Sequence, residues 1–223
     1  MSIFKDFEQA LTKSERRVWG TLTTPMKIQA FLDKLPYSVE TNYRCPLRVL
    51  REQVAHCFDG ALFGAAALRH LGNPPLILNL IANDEDDDHI LSLFKRNGYW
   101  GAIAKSNFTG LRFREPVYRT LRELVMSYFE QFYNVERKRT LRSYTVPLNL
   151  KAFDRFNWMM SDPPIDKIGK RLDEIRKVRI LTRGMIASLS LIDQRSYQAG
   201  LVGTNRAGLY HPGKRTRRKP EKF

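Results

Sequence analysis

The spacing of apolar residues divides the chain into helical and extended segments. Residues 57–71, CFDGALFGAAALRHL, carry the clearest helical pattern, with Phe58, Leu62 and Ala65 on one face and Gly72 following as a C-terminal cap. Thr24-Pro25 and Cys45-Pro46 each place a proline at the first turn of a further predicted helix. The N-terminal half therefore reads as several short helices.

The apolar period changes after residue 75. The run LILNLIA (76–82) predicts a buried strand, and the run NDEDDD (83–88) predicts a solvated loop. HILSLFK and YWGAIA then flank Asn97-Gly98, which is the sequence of a two-residue hairpin turn. A helix followed by a strand, a loop and a hairpin indicates the α+β class.

The second half is predicted to be mainly helical. Helical patterns cover residues 115–134, 152–160 and 165–192, with an edge strand expected over 140–150. The predicted divisions are an N-terminal helical segment (1–40), a core (41–110), a mainly helical elaboration packed on the core (111–195), and a Gly-containing segment with a basic disordered tail (196–223).

Composition places the chain among globular proteins. Of its 223 residues 43% are hydrophobic, which is enough for a packed core. No apolar run approaches the ~18 residues of a membrane-spanning helix, and the N-terminus lacks the apolar region of a secretory signal. Two cysteines in such a chain are expected as free thiols in a reducing compartment, so we expect a cytoplasmic location.

The charge is strongly basic, with 38 Lys and Arg against 23 Asp and Glu, hence +15. The last ten residues, KRTRRKPEKF, hold six basic residues and one acidic residue, so +5 belongs to the tail and +10 to the rest. This balance allows a nucleic acid or an acidic protein as partner, through the basic surface and tail. The acidic run lacks the Gly and Glu that an EF-hand needs, so neither a metal nor a cofactor is predicted.

Cys57 occupies the kind of position that is expected of a catalytic cysteine. Cys57 opens the Ala-rich helix, and a helix N-terminus stabilises a thiolate. A cysteine nucleophile also needs an imidazole. Of the four histidines, His70 lies at the far end of the helix, His211 lies in the tail, and His56 adjoins Cys57 in a helical pattern in which neighbours point apart. His89, at the start of a strand, is therefore the predicted base.

The hairpin register suggests a third residue. With a two-residue turn at Asn97-Gly98, Ser106 lies opposite His89, and a turn longer by one residue would bring Asn107 there instead. We favour Asn107, whose side-chain oxygen can accept the imidazole N–H, and keep Ser106 as the alternative.

Two further residues near this helix are candidates for a role. Gln53, four residues before Cys57, is a candidate donor to an oxyanion. Cys45 also precedes a helix, but no imidazole follows it in the same arrangement, so it is expected to be structural.

This ordered pattern resembles the transglutaminase-like superfamily. The features are a cysteine heading an Ala-rich helix, then LRHLGNPP and LILNLIA, a histidine opening the next strand, and a hairpin ending in a polar residue, all within residues 54–107. GLRFREPVYRTLRELVMSYFE follows, as in the bacterial branch of that superfamily. The resemblance implies a papain-like fold with Cys57 as nucleophile and His89 as base. The family's third residue is an Asp shortly after the hairpin Trp, whereas Trp100 is followed by GAIAKSN here.

These features predict a cysteine enzyme acting on an amide or isopeptide bond of a protein or peptide through a Cys57 thioester. Hydrolysis is favoured over cross-linking because water is the abundant acceptor. The alternative is a weak or inactive papain-like scaffold that binds a nucleic acid or an acidic protein. The alkylation rate of Cys57 relative to Cys45 distinguishes the two.

Overall fold

Short helices and a single antiparallel sheet make up residues 3–212, the part of the chain that this computed structural model describes. The α-helices are α1 (Ile3–Ala10), α2 (Lys13–Gly20), α3 (Pro25–Lys34), α4 (Pro46–Glu52), α5 (Cys57–His70), α6 (Leu121–Phe129), α7 (Pro163–Glu174), α8 (Arg183–Ala187) and α9 (Gln194–Gly200). The strands are β1 (Leu76–Ala82), β2 (His89–Arg96), β3 (Tyr99–Ile103), β4 (Arg114–Tyr118), β5 (Leu141–Thr145), β6 (Leu148–Asn149) and β7 (Lys177–Arg179). Three 3₁₀ turns lie at Thr109–Leu111, Leu150–Phe156 and Arg206–Gly208.

The sheet runs in the order β4-β3-β2-β1-β5-β7, and β6 pairs with the start of β1. Every pairing is antiparallel. Arg96 pairs with Tyr99 across the β2–β3 turn, where Asn97 and Gly98 have φ of 51° and 83°. Both turn residues thus occupy the left-handed region that a two-residue hairpin turn of this kind requires, which confirms the predicted turn.

Alternation along the strands separates two apolar layers. Ile77, Ile90 and Phe94 face a layer formed with α1–α5 and α7. Leu78, Leu91 and Leu93 face the opposite layer, which α6 covers. Successive side chains of a strand point to opposite faces, so the uninterrupted apolar runs seen in the sequence are those of a sheet covered on both sides.

The expected helix over 115–134 is wrong. Arg114–Tyr118 forms the edge strand β4, and α6 begins only at Leu121. Pro116 has no N–H for a strand ladder, and an edge position tolerates this. The Thr120 hydroxyl accepts the Glu123 backbone N–H at 3.1 Å, so Thr120 is the cap that starts the helix.

The expectation of a mainly helical region over 111–195 also needs correction. The helical pattern predicted from residue 165 ends at Glu174 in α7, and β7 then pairs with β5. Strands β4 to β7 all come from this region, so chain on both sides of residue 110 shares one sheet. No helix of residues 3–212 has the length and apolar content needed to cross a membrane.

Candidate active site

Cys57 is the first residue of α5 and is 5% exposed. Its Sγ lies 3.4 Å from Nδ1 and 3.7 Å from Nε2 of His56, and 4.0 Å from the Asp88 carbonyl oxygen. His56 is the N-cap, with extended backbone at φ −87° and ψ 174°. Two helical neighbours would point apart, as the sequence predicts for His56 and Cys57. A cap residue is not helical, so the His56 ring reaches the thiol.

A carboxylate inside the first turn fixes the start of α5. Asp59 accepts the His56 backbone N–H at 2.9 Å and the Arg44 backbone N–H at 3.0 Å. Asp59 is fully buried, and its carboxylate lies 3.7 Å from the Arg44 guanidinium. The negative charge satisfies backbone N–H groups and also complements the helix dipole.

Arg44 connects this turn to the preceding segment. The buried guanidinium bonds to Glu40 and Glu52, each at 2.6 Å, and to the Ser38 hydroxyl at 3.1 Å. An arginine fork with several carboxylate partners resists rotation of the segments that it joins. Cys57 therefore begins a helix whose first turn is held to the preceding segment by several hydrogen bonds and an ion pair.

Small residues let α5 lie close to the sheet. A Cβ on Gly60 would fall 2.3 Å from the Lys105 Cβ, and one on Gly64 would fall 2.3 Å from the Ser92 hydroxyl oxygen. That hydroxyl donates to the Ala61 carbonyl at 2.9 Å. The glycines of the predicted small-residue helix thus bring Cys57 to the level of the strand that carries His89.

His89 begins β2, and its Nε2 lies 2.8 Å from the Leu111 carbonyl oxygen. A carbonyl only accepts, so Nε2 carries the proton. Burial lowers the pKa of His89 to about 4, the Leu111 hydrogen bond opposes this shift, and the Arg114 charge adds to it. The imidazole is thus neutral at pH 7, and Nδ1 is its basic atom.

The acidic loop before His89 is partly buried, which corrects the expectation of a solvated loop. The Asp88 carboxylate accepts the Asn79 amide and the Ala82 backbone N–H, both at 3.0 Å. Asp86 is 8% exposed and accepts the Thr140 hydroxyl at 2.5 Å. These bonds tie the loop to β1 and the start of β5, and so fix the strand start at His89.

One pocket collects most of the predicted site residues. It leaves about 50 Å³ to water-sized molecules and has thiol, imidazole, amide, carboxylate and aromatic groups in its wall. Cys57, His89, Ser106 and Asn107 all line it, as does His56. Gln53 is not among the lining residues, and its amide donates to the Leu50 carbonyl at 2.6 Å.

The predicted third residues have other partners. The Asn107 amide binds the Asn205 backbone, and the Ser106 hydroxyl accepts the Phe108 backbone N–H at 3.0 Å. The β2–β3 ladder runs only to Ser92–Ile103, so it ends before the register reaches Ser106. The imidazole N–H assigned to Asn107 goes instead to the Leu111 carbonyl. No side-chain signal could reveal a backbone acceptor of this kind.

Cys45 is chemically unlike Cys57. It is the N-cap of α4, is 3% exposed, and donates its backbone N–H to Asp162 at 2.8 Å. Burial, together with the nearby Asp162 carboxylate, raises the pKa of its thiol to about 12 although two backbone hydrogen bonds oppose this. Cys45 therefore stays protonated at neutral pH, and it provides an internal reference for thiol reactivity.

Within residues 3–212, no group of three or more His, Cys, Asp or Glu side chains could hold a metal ion.

Solved structures resemble this chain only weakly. No protein-family profile matches the chain, and no curated protein matches it. Among solved structures, Legionella pneumophila LapG is similar at 15% identity and TM-score 0.35, over 48% of this chain and 71% of LapG. EGTA-treated LapG is similar at 12% identity and TM-score 0.40, over 77% and 98% of the two chains. Values this low do not establish a family or an activity, so the papain-like arrangement stays a prediction.

Proposed function

We propose that the protein is a cysteine hydrolase of peptide or protein amide bonds, with Cys57 as nucleophile and His89 as general base. The observation that carries this proposal is one pocket lined by a thiol at a helix N-terminus and by a neutral, oriented imidazole. A nucleophile, a base and a group orienting that base are the components of cysteine acyl chemistry.

The reaction begins when the His89 imidazole takes the proton of the Cys57 thiol. The Cys57 thiolate then attacks the carbonyl carbon of the amide. The C–N bond breaks as the imidazolium returns the proton to the leaving nitrogen, which leaves a thioester. Water then attacks the thioester, giving its proton to the imidazole, and the free acid and the thiol are regenerated. Hydrolysis rather than cross-linking is proposed because water is the abundant acceptor.

The supporting residues have separate roles. The Leu111 carbonyl orients the His89 ring, as the third residue of such sites does. His56 is the imidazole that hydrogen-bonds the thiol in this structure, and we assign it to holding Sγ. Gln53 has no part in the proposal because its amide is bonded to Leu50.

The test compares Cys57→Ala, His89→Ala, His56→Ala and Cys45→Ala in hydrolysis of a quenched-fluorescent peptide library. Cys57→Ala should abolish hydrolysis, His89→Ala should lower its rate by roughly 10²–10⁴-fold, and Cys45→Ala should leave it unchanged. A larger loss in His56→Ala than in His89→Ala would assign the base to His56. Hydrolysis that survives Cys57→Ala would refute the proposal.

Thiol labelling provides a second test that needs no substrate. Iodoacetamide should label Cys57 at neutral pH much faster than Cys45. Equal, slow labelling of both would favour the binding-scaffold alternative. The predicted nucleic-acid or acidic-protein partner is assigned to the basic surface and the tail together, and residues 213–223 of that tail lie outside the described part of the chain. That partner and the cytoplasmic location stay predictions.

A further inference from the structure

A segment late in the chain contributes to the wall of the Cys57 pocket. We name residues 204–210 the strap. Its members Gly208 and Tyr210 line the same pocket as Cys57 and His89. With the strap present, the pocket has room for only a few water molecules. A space of this size does not admit a polypeptide beside the thiol.

The strap is held by its backbone. The Asn107 amide nitrogen donates to the Asn205 carbonyl, and the Asn205 backbone N–H donates to the Asn107 side-chain oxygen, both at 2.9 Å. Asn205 is extended, with φ −76° and ψ 103°. One side-chain amide thus binds both main-chain groups of one extended residue.

Such a pair of bonds recognises any polypeptide. Every non-proline residue carries one N–H and one C=O, and an Asn amide supplies the matching acceptor and donor. The contact uses no feature of the bound side chain, as in other modes of extended-peptide recognition. The Asn107 side chain therefore carries the donor and the acceptor needed to bind a peptide backbone in the pocket that Cys57 lines.

Other contacts of the strap are specific to its own sequence. The Asn205 side chain donates to the Tyr37 carbonyl at 3.1 Å and caps the Ala207 backbone N–H at 3.2 Å. The Thr204 hydroxyl donates to the Asn107 carbonyl at 2.9 Å. The Tyr210 hydroxyl donates to the Asp84 carbonyl at 3.3 Å. These bonds can be removed without touching the two backbone bonds to Asn107.

We infer that Asn107 is a backbone clamp for an extended peptide substrate, and that the strap occupies this clamp as an internal competitor. This inference rests on the proposed function, because it names how the substrate of that same pocket is held. It gives Asn107 a substrate-binding role in place of the imidazole-orienting role predicted from the sequence.

The test uses two full-length variants that both loosen the strap. Asn205→Ala removes the side-chain bonds to Tyr37 and Ala207 but keeps both backbone bonds. Asn107→Ala removes the backbone bonds themselves. The probes are a bulky maleimide that labels Cys57 and the synthetic peptide acetyl-GTNRAGLY-amide, which copies residues 203–210. Labelling at Cys57 and Cys45 is resolved by mass spectrometry.

Both variants should label at Cys57 roughly tenfold faster than the parent, since each loses two of the hydrogen bonds that hold the strap. The added peptide should restore protection in Asn205→Ala and fail to do so in Asn107→Ala at the same concentration. Equal protection of both variants would show that Asn107 only anchors the strap. Protection of neither would also refute the clamp, and unchanged labelling would show that the strap does not cover the thiol.

If Asn107→Ala does not fold, Asn107→Asp replaces it, because the carboxylate keeps the acceptor and loses the donor. Peptide protection should then be weaker than in Asn205→Ala. No step of this test requires hydrolysis, so the clamp can fail while the enzyme proposal stands, and the reverse.

Discussion

Replacing Gly60 by Ala should destabilise the protein, although alanine is the better helix former. Gly60 lies within α5, whose residues 57–68 are all buried. The added Cβ would lie 2.3 Å from the Lys105 Cβ and 3.3 Å from its Cγ. Carbon atoms in ordinary contact are about 3.5–4.0 Å apart, so the helix or the Lys105 segment must move by more than about 1 Å.

The Lys105 segment has little freedom to move. The preceding residue, Ala104, exchanges two hydrogen bonds with the buried Gln29 amide, at 2.9 and 3.0 Å. The Lys105 ammonium donates to the carbonyls of Leu32 and Leu35 at the end of α3. Overpacking of this kind costs about 3 kcal/mol at the upper end, against about 1 kcal/mol gained from helix propensity. The expected net loss is about 2 kcal/mol.

Thermal unfolding followed by circular dichroism measures this loss. At this chain length, 2 kcal/mol corresponds to a Tm lower by about 4–8 °C. Gly20→Ala is the matched control, since Gly20 ends α2 and has no atom within 4 Å of an added Cβ. Its Tm should be unchanged or slightly raised. The cost of Gly60→Ala should be much smaller when measured against Lys105→Gly alone than against the parent, whereas Lys105→Ala keeps the clashing Cβ and should leave that cost unchanged. Equal Tm values for Gly60→Ala and Gly20→Ala would refute this account.

Three further predictions follow from buried polar groups. Arg44→Met should lower the free energy of unfolding in urea by about 3–5 kcal/mol because it removes the buried guanidinium that lies 3.7 Å from the fully buried Asp59 carboxylate. Arg48→Met, at a partly exposed arginine, should cost under about 1 kcal/mol, and similar costs for the two variants would contradict this. Thr140→Val removes the hydrogen bond to Asp86 and should lower the free energy of unfolding by about 1.5–3 kcal/mol. An unchanged unfolding midpoint would count against a role for that bond. Because of His89, the free energy of unfolding should fall by about 3 kcal/mol as pH drops from 6.5 to 4. In that window the His89 side chain binds a proton in the unfolded state and not in the folded state. His89→Gln should flatten that pH dependence, and an unaltered slope would show that His89 does not titrate there.

The features predicted correctly are those with local causes. Strand β1 matches the predicted run 76–82, and the Asn97-Gly98 turn has the predicted pairing. The start of α5 at Cys57 also agrees, because a cap, a small-residue helix and a terminal glycine are all encoded within a short stretch. The physical signals and the structure they determine lie within a few residues of each other.

The incorrect predictions concern segments whose structure depends on contacts with residues distant in sequence. Residues 114–118 have a helical apolar spacing, but pairing with β3 makes them an edge strand. The acidic run looks solvated in sequence, yet Asp86 is buried through Thr140, which is 54 residues away. Local sequence pattern and intrinsic propensity predict structure poorly wherever hydrogen bonds to distant residues decide the conformation or the burial of a segment.

The candidate site shows why its chemistry cannot be read from residues 54–107 alone. The thiol and the imidazole come from that stretch, but the basicity of the imidazole depends on burial and on Arg114, and its orientation depends on the Leu111 backbone. In the clamp proposal, access to the thiol depends on Asn205, which is 98 residues beyond the Asn107 amide that holds it. A family with an acid after the hairpin tryptophan would orient the imidazole with that side chain. In the proposed function a main-chain carbonyl takes that place, and in the clamp proposal Asn107 binds a peptide backbone instead. In the proposed function, the segment after the hairpin therefore supplies the carbonyl that orients the base, and the strap, far later in the chain, covers the nucleophile.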